Sequence, residues 1–347
     1  MAKEITTEQI EMLEEMVARA RKAAAIIETY DQDRVDHLCQ AVAAALYDLK
    51  VWAQLSDEAV DETNLGDKVT KRNKRNKLKL ILRDCMRSRS VGAIEEIPEK
   101  GLVKYAKPVG VIASLVPTTN PCLTPAGQVI YAIKARDVII CSPHPRAKVV
   151  TNKCIDIIRE VLLREGAPAD IIQGIQQPSI ALTQELMKRC DLVIATGGRP
   201  MVKSAYSSGT PAYGSGAGNA TVIIDNTADT PERQREAAQN TRISKTSDFG
   251  SGCSCDGNLV IHESIYDKMV DALKAEGGYL ANKEEAEKLK SVMWDEMGHR
   301  LPGTVAISPQ KLAEAAGFEI PADRKFIAVT GGGIEGVGKE HFFSSEK

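Results

Sequence analysis

Several things are missing from this sequence: a charge excess, a long apolar run, a paired-cysteine metal signature and internal repeats. The formal net charge is −2 over 347 residues, which excludes the strongly basic balance of a general nucleic-acid binder. No stretch reaches the roughly 18 consecutive apolar residues of a membrane span. Residues 1–24 are charged throughout and lack the apolar core of a secretory signal. No nucleic-acid or membrane partner is therefore expected, and the expected location is cytoplasmic. The eight cysteines, Cys39, Cys85, Cys122, Cys141, Cys154, Cys190, Cys253 and Cys255, form no C-x-x-C pair. The single C-x-C pair has only His262 near it, too few ligands for zinc, so no metal is expected. In a reducing compartment most of these thiols stay unbridged and several are simply core residues.

What remains is an ordinary globular composition, 43% hydrophobic and 27% charged, in a chain long enough for two domains. The first 85 residues carry apolar positions at three- and four-residue spacing behind a Thr-Thr-Glu cap signal, and read as helices. Within them "KVTKRNKRNKLK", residues 68–79, reads as a solvated helix face or as an anion-binding surface for a phosphorylated cofactor. Past Ser90, Gly and Pro punctuation predicts a hairpin leading into a buried strand, "VGVIASLV". Helix 123–135 follows, then strand "DVIICS", helix 147–166, strand "IIQGI", helix 179–189, strand "DLVIAT", helix 199–209, strand "TVIID" and helix 230–244. Apolar strands alternating with helices predict an α/β fold with a parallel, doubly wound sheet. A second unit is expected past about residue 225, with strand "NLVIH", helices at 263–274 and 283–293, and strand "KFIAVTG".

In such sheets ligands bind beyond the carboxyl ends of the strands, and three segments lie there. In "VPTTNPCLTP", residues 116–125, Asn120 either stabilises a turn or points its amide at a developing oxyanion. In "IATGGRPMV", Gly197 and Gly198 end a strand and open a helix, which suits a pyrophosphate. "GSGAGN", residues 214–219, has the wrong spacing for a dinucleotide fingerprint and precedes a strand, so it implies only a close backbone approach. Cys253 lies in "KTSDFGSGCSC", residues 245–255, where Gly250, Ser251 and Gly252 leave room for a substrate to reach a nucleophilic thiol.

Together these segments resemble the aldehyde dehydrogenase superfamily, and within it the coenzyme-A-acylating branch. The resemblance runs from about Ala23 to the C-terminus and rests on "PVGVIASLVPTTNP", "SPHPRA", "LVIATGGRPMVKSAYSSGTPAYGSGAGN" and "SKTSDFGSGCSCDGN". "KTSDFGSGCS" is most similar to the acylating sulfoacetaldehyde dehydrogenases. The resemblance implies a Rossmann-like, doubly wound cofactor domain over residues 1–227, with an oligomerisation hairpin near 90–108, and an α/β catalytic cysteine domain over 228–347. It implies that Cys253 is the nucleophile and that Asn120 holds the oxyanion with the Cys253 backbone N–H. It places Val116, Pro117, Thr118, Ser142, His144, Arg146, Thr196, Gly197, Gly198 and Gly216 at the cofactor, NADP or NAD, with coenzyme A as co-substrate. A homodimer or homotetramer is implied as well.

Hydrolytic relatives carry a Glu in an "ELGG" motif that activates water; the corresponding place here is about Ser215. Asp256 is near in sequence, but nothing in the pattern makes it a substitute. The thioester is then left to coenzyme A. In "SPHPRA", Pro145 takes the approximate place of a ribose-binding Glu, and Arg146 is expected to meet a 2′-phosphate, which admits NADP. Arg242 and Lys245 are the basic residues nearest Cys253 for an anionic aldehyde. Family members generally run on for about another hundred residues, more than a small subdomain, so the chain is expected to be C-terminally truncated. Three alternatives stay open: an acetaldehyde, propionaldehyde or succinate semialdehyde enzyme, a non-catalytic relative, and a thiol-redox protein using Cys253 with Cys255.

Overall fold

The computed structural model describes residues 5–216, 218–331 and 343. The chain divides into two compact units, Met1–Asn64 with Arg72–Gly216, and Leu65–Lys71 with Ala217–Lys347. Of the C-terminal "GGGIEGVGKEHFFSSEK", only Gly331 and Phe343 lie within the described residues.

The first unit opens with α1 (Thr7–Ile27), α2 (Gln32–Tyr47) and α3 (Leu49–Thr63). Thr6 and Gln9 close a capping box on α1, each side chain accepting the other's backbone N–H. The short α4 (Lys68–Arg72) overlaps the segment that groups with the second unit, and α5 (Arg75–Met86) returns to the first. An antiparallel hairpin, β1 (Ala93–Ile97) with β2 (Leu102–Tyr105), comes next. Then β3 (Val111–Val116), α6 (Leu123–Ala135), β4 (Val138–Pro143), α7 (Lys148–Arg164), β5 (Ile172–Gly174), α8 (Ile180–Arg189), β6 (Leu192–Thr196) and α9 (Arg199–Tyr206) alternate as the apolar runs predict.

Every residue of β3 and β4 is buried, which is why both read as unbroken apolar runs. The sequence reading missed β7 (Ala212–Ser215), which is short and broken by glycine. It completes an all-parallel sheet in the order β5-β4-β3-β6-β7. Counted from β3 that order is 3-2-1-4-5, the doubly wound dinucleotide-binding order. The "GSGAGN" segment begins inside β7, which the sequence reading did not see, and precedes β8 (Ala220–Ile224), as read.

In the second unit β8 (Ala220–Ile224) precedes α10 (Pro231–Thr246) and pairs in parallel with β9 (Asp256–Ile261). That pairing draws "TVIID" into the second unit, so the compact units part at Gly216/Ala217 while the sequence reading placed the boundary near residue 227. Then come α11 (Tyr266–Ala275), β10 (Gly278–Ala281), α12 (Lys283–Met293), α13 (Pro309–Ala315) and β11 (Phe326–Val329), with β10 parallel to β11. Among the described residues no helix is long and apolar enough to cross a membrane.

Candidate active site

The order of the first unit's sheet creates a switch point between β3 and β6, whose connections leave on opposite sides. Val116 is the buried last residue of β3, and its carbonyl accepts the His144 N–H at 3.1 Å. Pro117 and Thr118 follow it, half-buried. Asn120 lies in the loop between β3 and α6, its carbonyl accepting the Thr124 N–H at 3.1 Å. On the neighbouring strand Thr196 ends β6, and the Gly197 N–H donates to the Ser215 carbonyl at 3.1 Å. Gly198 is the N-cap of α9 and makes no side-chain cap. Its carbonyl accepts the Met201 and Val202 N–H groups at 3.0 and 3.2 Å, and Pro200 has no N–H, so of the first three helical positions the Arg199 N–H is the one that can face a ligand. Among the described residues, Pro200 Cδ at 3.8 Å is the one atom that a Cβ at Gly198 would meet within 4 Å. Gly216 stands exposed just past β7.

The end of β4 departs from expectation. Ser142 is 4% exposed and its Oγ shares a 2.7 Å hydrogen bond with Thr183 Oγ1, so its side chain serves the core. His144 accepts the Arg146 N–H on Nδ1, and partial burial with the neighbouring Arg146 holds its pKa below the ordinary value. The Arg146 guanidinium donates to the Thr63 carbonyl at 2.9 Å. The turn itself carries no carboxylate, as read, but one from α3 stands at the start of the helix that follows it. The Val149 and Val150 N–H groups donate to Glu62 at 2.9 and 2.8 Å, so a residue 87 positions away caps α7.

In the second unit the chain from α10 to β9 carries Cys253. Three consecutive residues, Asp248, Phe249 and Gly250, take left-handed φ of 53°, 49° and 69°. For a bulky non-glycine such backbone costs on the order of 1–3 kcal/mol per residue, and it persists only where the surroundings over-determine it. Here the surroundings are polar. The fully buried Asp248 carboxylate accepts Lys71 Nζ at 2.8 Å, the Asp67 N–H at 3.0 Å and the Ser251 hydroxyl. Its own N–H donates to Thr70 Oγ1 at 2.6 Å. Gly66 makes this possible: at φ +78°, a Cβ there would lie 1.7 Å from Asp248 Oδ1.

The turn leaves Cys253 exposed and Cys255 buried. Cys253 is the one exposed cysteine of the eight. Burial pushes the Cys141 and Cys190 thiols up to about 12 and raises that of Cys39, so these stay protonated at neutral pH. The close approach implied by "GSGAGN" is also found, since a Cβ on Gly218 would meet Cys253 O at 3.4 Å and Cys253 Cβ at 3.5 Å. Asp256 is occupied by Ser244, whose hydroxyl donates to its carboxylate at 2.8 Å. Arg242 is paired with Glu276 at 2.8 Å, which removes it as the expected partner for an anionic aldehyde. Lys245 lies beside Gly250.

The basic cluster is not simply a solvated face. Lys71 is 4% exposed, in the ion pair with Asp248, and Lys74 is 8% exposed. Lys74 Nζ donates to Asn120 Oδ1 at 2.8 Å. Neither placement has a local sequence signal, because the partners lie 177 and 46 residues away. Among the described residues no cluster of three His, Cys, Asp or Glu side chains could hold a metal ion.

A dinucleotide-type sheet with an uncapped helix at its switch point, and an exposed thiol on a constrained turn, is matched by one sequence profile over residues 11–288. The chain belongs to the aldehyde dehydrogenase family. Its similarity to a sulfoacetaldehyde dehydrogenase of Acholeplasma sp. is 41% identity over 343 residues, 97% of this chain and 69% of that relative. An acylating sulfoacetaldehyde dehydrogenase of Bilophila wadsworthia is 38% identical over 91% of this chain and 68% of its own length. The crystal structure of an acetylating aldehyde dehydrogenase from Geobacillus thermoglucosidasius superposes with a TM-score of 0.86 at 36% identity, covering 97% of this chain and 73% of that one. The doubly wound cofactor sheet expected from the sequence is thus an aldehyde dehydrogenase sheet.

Proposed function

We propose that this chain is a coenzyme-A-acylating aldehyde dehydrogenase that converts a small aldehyde, sulfoacetaldehyde first, into its acyl-CoA with NAD+ or NADP+. The observation that carries the proposal is the single exposed thiol, Cys253, on a turn held in a strained conformation by buried polar contacts. The names of the relatives, two sulfoacetaldehyde dehydrogenases and an acetylating enzyme, support the substrate class.

In the proposed reaction Cys253 Sγ attacks the aldehyde carbon and forms a thiohemiacetal. Its oxyanion is held by the Asn120 amide and the Cys253 backbone N–H. The nicotinamide, when bound, supplies the hydride acceptor, and Cys253 is left as a thioester. The coenzyme A thiolate then attacks the thioester carbonyl, the bond to Cys253 breaks, and the thiolate of Cys253 returns. By the resemblance, about Ser215 takes the place where hydrolytic relatives carry their water-activating Glu, and a serine hydroxyl is no substitute for that carboxylate as a base. The remaining cofactor roles fall to Pro117, Thr118, Thr196, Gly197 and Gly198 around the α9 N-terminus, with His144 and Gly216 flanking. The Glu62 carboxylate of α3, held at the N-terminus of α7, disfavours a 2′-phosphate, so NAD+ is the better substrate of the two.

A cytoplasmic enzyme fits eight unbridged thiols. A homodimer or homotetramer would form through the β1–β2 hairpin, where Leu102, Val103 and Tyr105 are exposed; light scattering on Leu102→Glu against wild type tests it. For the reaction, nicotinamide reduction is followed with sulfoacetaldehyde, NAD+ or NADP+, with and without coenzyme A, beside Cys253→Ser. Sustained turnover that requires both coenzyme A and Cys253, and is faster with NAD+, is expected. Equal turnover without coenzyme A would overturn the acylating assignment. Acetaldehyde and succinate semialdehyde run in parallel rank the substrate.

A further inference from the structure

We infer that Lys74 is a positioning residue for Asn120, fixing which face of that amide is offered to the reacting carbonyl. The inference rests on the oxyanion role proposed for Asn120. A primary amide presents one acceptor and two donors, and only the donors can hold an oxyanion. An ammonium can only donate, so the 2.8 Å contact from Lys74 Nζ turns Asn120 Oδ1 toward Lys74 and commits Nδ2 to the other side. On that side the amide nitrogen has a 3.5 Å contact to Thr119 Oγ1, at the limit of a hydrogen bond, so its N–H groups remain available.

The contact does more than orient. A charge-assisted bond on the carbonyl draws electron density from the amide and makes Nδ2 a stronger donor, the more so because Lys74 is nearly buried. Lys74 is the N-cap of α5, at the positive end of the helix dipole, and gives that helix no side-chain cap. The Nζ also lies 3.5 Å from the Thr119 carbonyl, so the same ammonium reaches the backbone of the loop that carries Asn120.

The test is a double-mutant cycle of Lys74→Met and Asn120→Ala in the purified chain, with kcat and KM for nicotinamide reduction, the rate of Cys253 alkylation by iodoacetamide, and thermal unfolding. Removing one oxyanion donor costs on the order of 100- to 1,000-fold in kcat. Lys74→Met is expected to lose about 10- to 100-fold in kcat, a share of that effect, with KM for the cofactor and the alkylation rate little changed. In the Asn120→Ala background the same substitution should cost nothing further. A Lys74→Met enzyme with wild-type kcat, or one whose loss recurs in full beside Asn120→Ala, overturns the inference while leaving the role of Asn120 intact. Full activity of Asn120→Ala instead removes the oxyanion role itself. Should Lys74→Met lose its unfolding transition, Lys74→Gln, which keeps a donor and drops the charge, is carried through the same cycle.

Discussion

The two units hold their loops in different ways. In the first, Asn120 follows a strand buried over its whole length, in a continuous core where Ile112, Leu115, Ile130, Ile139 and Ile155 pack together. In the second, the described apolar clusters are small: one around Ile224, Met269 and Phe326, another around Ala281 and Leu289. The conformation of the Cys253 turn rests instead on one buried residue, Asp248, whose carboxylate accepts from Asp67 and Lys71 and whose N–H donates to Thr70. Apolar packing is non-directional and tolerates substitutions that keep volume. A buried ion pair does not tolerate the loss of one partner. The strand-end loop should therefore be robust and the thiol turn brittle, and brittle to changes far from it in sequence.

The largest expected effect comes from Lys71→Met. It removes the 2.8 Å ion pair from a fully buried carboxylate, Asp248, a loss of about 3–5 kcal/mol. Hydrogen–deuterium exchange should show deprotection across residues 245–256 with the β3–β4 amides unchanged, and the Cys253 alkylation rate should shift with it. Uniform deprotection of both units would break the contrast.

Gly66→Ala is expected to be milder, on the order of 1–3 kcal/mol, since its Cβ at φ +78° must displace Asp248 Oδ1. The same exchange experiment reads it, with smaller changes in the same segment.

The smallest effect lies in the first unit and depends on pH. Burial pushes the Asp137 carboxyl up to about 6 from an ordinary 3.8, offset in part by the Val109 and Gly110 N–H groups it accepts at 2.6 and 2.8 Å. Between those values the folded chain holds a proton that the unfolded chain has lost. Stability from this group is therefore present below about 4 and falls as pH rises toward 6. Asp137→Asn keeps the Oδ1 acceptor that both N–H groups use, so its urea midpoint should lose that fall across the pH window. An unchanged pH profile would show that Asp137 does not titrate there.

Much of the fold was readable before any coordinates. Strands 111–116 and 138–143 are apolar on both faces, and α6 runs from Leu123 to Ala135 as its pattern predicted. The placement of the Thr196–Gly198 turn and the Asn120 loop at strand ends followed from that alternation. The missing pieces share a cause, which is that their determinants are distant in sequence. β7 is too short and too rich in glycine to carry a period, and only its pairing with β6 makes it a strand. The pairing of β8 with β9 moved the unit boundary. Lys71 and Lys74 sit in a run of twelve residues where every charge suggests solvent, and nothing local marks the two that are buried. Glu62 capping α7, the Thr63 carbonyl on Arg146 and Glu276 on Arg242 were invisible for the same reason, and the last two changed the reading of an expected anion partner.

The claim at the centre of this account is that Cys253 carries an acyl group that coenzyme A, and not water, removes. Mass spectrometry of the protein incubated with sulfoacetaldehyde and NAD+ in the absence of coenzyme A addresses it directly. The peptide containing Cys253 should gain the acyl group, with fragmentation placing it on Cys253 and not on Cys255. The adduct should persist in buffer and disappear on addition of coenzyme A as acyl-CoA forms. An unmodified Cys253 during turnover, or an adduct lost to the free acid as fast without coenzyme A as with it, would contradict the account.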